Sequence, residues 1–283
     1  MGPARSSTIR TLAGIFLIAM TVPAVAQERV RFPTADTQEL ALDGYLFRPK
    51  GPGPFPAVVA MHGCGGIFAP RTTKFTERHH QWGAHLAKLG YLVLFPDSFN
   101  PRGVADVCKR ETDPIRPGAD RVRDAYGALA FLQRQSFVRP DAIALMGWSH
   151  GAITTLWASR QSTRARPPAV QTDFAVGIAF YPGCKSISET GYRPVFPVHM
   201  FVGELDDWTP AEFCKAFAEK QGLKITVYPK AGHGFDAPNQ PKLVIRDLHT
   251  TASGTATIGT DPEARADVLK RVPEILAGSM RRH

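Results

Sequence analysis

The sequence predicts an α/β fold, a mostly parallel central sheet with helices on both faces. Three observations carry this. Strand-length apolar runs alternate with segments of helical spacing from about residue 57 onward, the pattern of successive βαβ units. Ala57-Val58-Val59-Ala60-Met61 is continuously apolar, as a strand buried on both faces would be. Ile143-Ala144-Leu145-Met146 runs into Gly147-Trp148-Ser149-His150-Gly151 and then the helical stretch Ala152–Ala158, which reads as strand, tight turn, helix. At 283 residues and 43% apolar content, one large domain is favoured over two small ones.

Taken in order, the chain opens with a leader. Arg5 and Arg10 precede a short apolar stretch, Leu12–Met20, and Ala24-Val25-Ala26 is a small-residue cleavage signal. Residues 1–26 are therefore expected to be a signal peptide and 27–283 a single exported domain, periplasmic or secreted. The apolar stretch is too short to span a membrane, and no later one qualifies, so no stable membrane insertion is expected after cleavage. Arg29–Phe47 reads as two strands at an antiparallel edge. Helices are expected at Glu77–Leu89, closed by Gly90, and at Asp120–Arg134, with the strand Tyr91–Phe95 between them. The polar, proline-containing segment 101–118 is long enough for a functional loop. Beyond the Ser149 turn come strands at Ala175–Phe180 and Val198–Gly203, a helix at Pro210–Gln221 opening on proline, a last strand at Ile225–Tyr228, and a helix at Glu263–Leu276 containing Pro273.

The formal charge is +9, and +7 without residues 1–26, which hold two arginines and no acid. The cations are scattered, without a basic stripe interleaved with aromatics, which argues against nucleic acid as a partner. Cys64, Cys108, Cys184 and Cys214 lack Cys-x-x-Cys spacing, which argues against zinc. No metal or organic cofactor is expected. In an exported chain these cysteines permit three disulfide pairings. The pairing favoured is Cys184–Cys214 with Cys64–Cys108, and free buried thiols are the alternative.

A serine at the tip of a strained strand-to-helix turn is exposed, and the helix behind it presents free N–H groups. A serine hydroxyl needs a base, and the base an orienting acid. In α/β-hydrolases these follow in the order Ser, acid, His, each on a loop after a strand. Ser149, Asp206 (in Gly203-Glu204-Leu205-Asp206-Asp207) and His233 (in Ala231-Gly232-His233-Gly234-Phe235) meet that order. Asp207 and Glu204 are the nearest rivals as acid, and Asp206 could instead cap the helix near Pro210. Two backbone donors are expected to bind an oxyanion, the amides of His150 and Cys64, the latter in His62-Gly63-Cys64-Gly65-Gly66. Trp148, Tyr181, Trp208 and Phe235 flank these loops and are expected to line a substrate pocket.

With these residues in place, the chain resembles the dienelactone hydrolase family of α/β-hydrolases. The matching parts are Gly147-Trp148-Ser149-His150-Gly151, Gly203-Glu204-Leu205-Asp206 followed by Pro210, and Gly232-His233-Gly234-Phe235. The resemblance runs from about Ala57 to the C-terminal helix. It implies that Ser149, Asp206 and His233 are nucleophile, acid and base. Well-studied members carry a cysteine nucleophile, where this chain has Ser149, and an acidic residue after the third strand, where this chain reads His62-Gly63-Cys64. The serine form with a leader looks like an exported, generalist branch. The expected activity is cleavage of a small-molecule carboxylic ester or lactone through an acyl-enzyme. A peptidase or acyltransferase with the same triad, or a binding protein on the same scaffold, are the alternatives. Oligomeric state is left open.

Overall fold

The structure, a computed structural model, describes residues 1–2, 27–35, 40–167, 170 and 172–280. The expected leader lies, apart from Met1 and Gly2, outside the described residues. The first half of the chain forms β1 (Gln27–Pro33), β2 (Ala41–Phe47), β3 (Phe55–Met61), α1 (Glu77–Lys88), β4 (Leu92–Pro96) and α2 (Asp120–Gln133). The second half forms β5 (Val138–Trp148), α3 (His150–Ser159), β6 (Gly177–Phe180), α4 (Lys185–Ser188), β7 (Val198–Gly203), α5 (Ala211–Gln221), β8 (Lys224–Tyr228), β9 (Leu243–Arg246), β10 (Thr255–Ile258) and α6 (Pro262–Ser279).

An eight-stranded sheet has the order β1-β2-β4-β3-β5-β6-β7-β8. The β1–β2 hairpin runs antiparallel at one edge, and all pairs from β4 to β8 are parallel. Successive side chains of a strand point to opposite faces, and both faces are buried here. Ala57, Val59 and Met61 of β3, with Ile143 and Leu145 of β5, join one core with Val122 of α2, Leu156 of α3 and Phe217 of α5. Val58 and Ala60, with Ala144, Met146 and Trp148, join the other with Trp82 of α1 and Val268 of α6. This two-sided burial is why the central runs are continuously apolar.

Local differences from the sequence reading have physical causes. β5 begins at Val138 and so contains Pro140, which has no N–H to donate. It is tolerated because the pairing with β3 jumps from Phe55↔Val138 to Ala57↔Ile143, leaving Pro140 in the irregular gap. α6 contains Pro273, as expected, and runs slightly longer than expected at both ends, from Pro262 to Ser279. β8 is the last strand of the main sheet but not of the chain. The separate β9–β10 hairpin follows, and its apolar run, Leu243-Val244-Ile245, is too short and too exposed to stand out. The short α4 was likewise not expected. No described helix is long and apolar enough to cross a membrane.

Candidate active site at the carboxyl edge of the sheet

Ser149 stands between β5 and α3 with φ 50° and ψ −112°. A non-glycine residue at positive φ is strained by about 1–3 kcal/mol, and such strain persists only where the surroundings over-determine it. They do so here. The Ser149 amide donates to the Phe180 carbonyl (2.9 Å), and its carbonyl accepts from Ile153 (2.9 Å). The flanking glycines are obligatory because backbones meet. A Cβ on Gly147 would lie 2.2 Å from the Gly151 carbonyl oxygen, and one on Gly151 would lie 2.1 Å from that of Met61.

Asp206 leaves β7 and His233 leaves β8, and the two loops are stitched together by Leu205 N–H to Ala231 C=O (2.9 Å). His233 Nδ1 is 2.8 Å from Asp206 Oδ2, and both side chains are buried. Asp206 Oδ1 accepts from the amides of Trp208 (2.9 Å) and Thr209 (2.8 Å). Asp206 therefore does not cap α5, whose N-cap is Pro210 without a side-chain hydrogen bond; Oδ1 braces the turn ahead of the helix, while Oδ2 meets His233 and accepts the Thr209 hydroxyl (2.9 Å). Burial by itself would raise the Asp206 pKa, but the His233 charge and these hydrogen bonds outweigh it and hold the carboxyl below its ordinary value. The rival acids are spent elsewhere. Glu204 pairs with Lys215 (2.8 Å), and Asp207 accepts from the amide (2.8 Å) and hydroxyl (3.0 Å) of Thr257.

Parallel neighbours β5 to β8 bring these loops to one edge, where ligands of open α/β sheets bind. Tyr181, the residue after β6, links them. Its ring centroid lies 4.5 Å from that of His233, while the carbonyl of its neighbour Phe180 holds the Ser149 amide. Ser149 Oγ and His233 Nε2 engage in no hydrogen bond among the described residues, so both keep their capacity for substrate or for each other.

The loop after β3 borders the same place. A Cβ on Gly63 would sit 3.8 Å from Ser149 Cβ. His62, fully buried, donates from Nδ1 to the Gly63 carbonyl (2.8 Å) and accepts the Ser98 amide at Nε2 (3.2 Å). Burial, with the nearby Arg121 charge, keeps its pKa well below the ordinary histidine value, so the ring is neutral. In a trans peptide the C=O and N–H point opposite ways. Holding the Gly63 carbonyl therefore aims the Cys64 N–H. The amides of Cys64 and His150 have no acceptor among the described residues. Both favoured disulfides are present, Cys64–Cys108 and Cys184–Cys214.

The pocket-lining expectation needs correcting. Trp148 and Phe235 are fully buried. As the last residue of β5, Trp148 follows the strand alternation onto the α1/α6 face, stacked near-parallel on Phe95 and Phe180. Tyr181 is also buried and touches His233 rather than open space. Trp208 alone is partly exposed, with its ring 4.9 Å from His233. The sequence reading missed the residue that organises this group. Asp236, fully buried, accepts the indole N–H groups of Trp82 and Trp148 at Oδ2 (2.8 Å each) and the Tyr181 hydroxyl at Oδ1 (2.6 Å). Arg78 lies 3.4 Å from the same Oδ1 and neutralises its charge. Nothing in Gly234-Phe235-Asp236 signals this, because the donors are 55 to 154 residues away.

The dienelactone hydrolase family model matches residues 42–279. A Bradyrhizobium protein named "Probable 2-oxo-3-(5-oxofuran-2-ylidene)propanoate lactonase" is 28% identical over 235 residues, spanning 76% of this chain and 86% of that protein. Among solved structures, a dienelactone hydrolase-like promiscuous phosphotriesterase from metagenomic libraries superposes with TM-score 0.64 at 19% identity, covering 92% of this chain and 100% of the other. Thermogutta terrifontis esterase 2 superposes with TM-score 0.60 at 17% identity, covering 93% and 97%. At these identities the structural likeness speaks for the fold. With the family model matching residues 42–279, the chain is a hydrolase that belongs to the dienelactone hydrolase family of the α/β-hydrolase fold.

Proposed function

We propose that the protein is a serine hydrolase that cleaves a small carboxylic ester or lactone through an acyl-enzyme. The observation that carries this is the buried 2.8 Å bond between His233 Nδ1 and Asp206, at the same sheet edge as the strained, half-buried Ser149. Asp206 fixes the Nδ1–H tautomer, which leaves Nε2 as the base. The Ser149 hydroxyl gives its proton to Nε2 as Oγ bonds to the carbonyl carbon, and the carbonyl electron pair moves onto oxygen. The amides of Cys64 and His150 and the N-terminus of α3 stabilise that oxyanion. Collapse breaks the bond to the alkoxy oxygen, which takes the proton from Nε2. In a lactone that oxygen stays tethered to the acyl chain. Water, deprotonated by Nε2, then attacks the acyl carbon, the bond from that carbon to Oγ breaks, and Nε2 returns the proton to Ser149 as the acid leaves.

Ester and lactone substrates are preferred because the curated relative is named a lactonase and one structural neighbour an esterase. We also read the chain as exported, on the strength of the leader pattern in 1–26 and two disulfides. The test is release of p-nitrophenol from a short acyl ester by protein beginning at Gln27. Ser149→Ala is expected to cut turnover at least about 10³-fold, and a p-nitrophenyl phosphonate should label the wild type at Ser149. Full activity in Ser149→Ala would overturn the assignment.

A further inference from the structure

Both amides assigned to the oxyanion belong to residues whose other atoms are fastened to one loop, the segment between Phe99 and Gly118. Cys64 is bonded through Sγ to Cys108, and its carbonyl accepts the Val107 amide at 2.9 Å. The His150 imidazole is gripped from two sides. Arg121 Nη1, which can only donate, lies 2.7 Å from Nδ1, so Nε2 carries the proton and donates to Asp113 Oδ2 at 2.5 Å. The other Asp113 oxygen accepts the Ile115 amide (2.9 Å), so the carboxylate is seated in its own loop. Arg121 is fully buried beneath Phe99, its guanidinium carbon 5.1 Å from that ring centroid. Phe99, Val107 and Ile115 form a small apolar core of their own with Cys64 packed on it. The segment is therefore a packed body rather than an open flap, and it reaches the elbow side and the β3 side of the site at once.

We infer that this segment is the frame that sets the spacing of the two oxyanion-binding amides, with Asp113 and the Cys64–Cys108 bridge as its two fixings and as positioning residues for the reaction. The inference rests on the serine hydrolase reading above. A donor displaced from the oxyanion weakens the transition state and leaves ground-state binding almost untouched, because its hydrogen bond matures only as charge develops. Loss of a fixing is thus expected to lower kcat and spare KM. Deleting an oxyanion donor outright costs about 10²–10³-fold; a donor only loosened should cost less, about tenfold.

The experiment compares the wild type, Asp113→Ala, Asp113→Asn, the pair Cys64→Ser/Cys108→Ser, and Ser149→Ala, on one p-nitrophenyl ester and one trifluoromethyl ketone, which forms an oxyanion on the nucleophile. Asp113→Ala and the double cysteine variant should each lose about tenfold in kcat with KM within about twofold, and should bind the ketone more weakly by a matching factor. Asp113→Asn, whose amide oxygen still accepts from His150, should recover most of the loss. Wild-type kcat and ketone affinity in both disrupted variants, with Ser149→Ala inactive, would overturn the frame and leave the hydrolase reading standing. A loss confined to KM would also overturn it, by making the loop a substrate-binding element. Activity retained in Ser149→Ala would remove the hydrolase reading and this inference with it. Should Asp113→Ala fail to fold by circular dichroism, the cysteine pair decides alone.

Discussion

The two sides of the site are held in different ways. The proposed acid–base side consists of short loops leaving β7 and β8, tied to each other by backbone bonds and backed by one buried carboxylate, Asp236, with two indoles and a phenol upon it. The proposed oxyanion side is fastened to a long loop by a disulfide and an Arg–His–Asp contact. The difference teaches where tolerance lies. On the proposed reading, loss of Asp236, with three buried donors upon it, should cost the fold first, and loss of the part-exposed Asp113, with one, should cost the chemistry first.

The largest expected effect is at the acid–base side. Asp206→Asn removes the charge facing His233 and permits the wrong tautomer, and should lower kcat on the order of 10³–10⁴-fold in steady-state assays. Wild-type turnover in that variant would shift the acid elsewhere. Next is Asp236→Ala, which orphans two indole N–H groups and the Tyr181 hydroxyl in the core. At about 1–3 kcal/mol per buried unsatisfied group, the loss should be about 4 kcal/mol or more by urea unfolding. Asp113→Ala should cost far less stability, and equal losses for the two would erase the contrast between the sides.

Acid should act on both sides. His62 on the oxyanion side and His79 behind the other are buried neutral, with pKa values pushed down by burial, that of His79 to about 3. The unfolded chain takes up protons at these residues near the ordinary value of about 6.5. Their contribution is therefore complete above about pH 6.5 and is lost as pH falls towards the folded values, at about 1.4 kcal/mol per pH unit for each ring. Urea midpoints measured from pH 7 to pH 5 should show this slope, and His79→Asn should reduce it by one ring's share. The smallest effect belongs to the exposed pair Glu204–Lys215. Glu204→Gln should change stability by less than about 1 kcal/mol and leave kcat unchanged. A large loss of kcat there would make Glu204 a participant.

What was legible in the sequence was whatever a local pattern encodes. Continuous apolar runs announced strands buried on both faces, glycines at 147 and 151 announced a turn where backbones touch, and the positions of Asp206 and His233 after strands announced that their loops would meet. What was not legible depends on side chains meeting across long separations. The orientation of Trp148 followed from strand alternation, but reading it as core required knowing that both faces of β5 are covered. His150 entered the sequence reading only through its amide, yet its ring is gripped by Arg121 from 29 residues away and Asp113 from 37. Asp236 looked like one more loop acid, because neither Trp82 nor Trp148 advertises its partner.

The contact between Trp208 and His233 gives the molecule a built-in optical gauge. The indole of Trp208 rests 4.9 Å from the imidazole, and a protonated imidazole quenches indole emission where a neutral one does so weakly. Trp82 and Trp148 are sealed inside and out of reach of iodide. The emission that iodide can quench therefore comes from the surface indoles, Trp208 among them, and its change on binding a trifluoromethyl ketone, whose oxyanion adduct keeps the proton on the base, would report that adduct without any label.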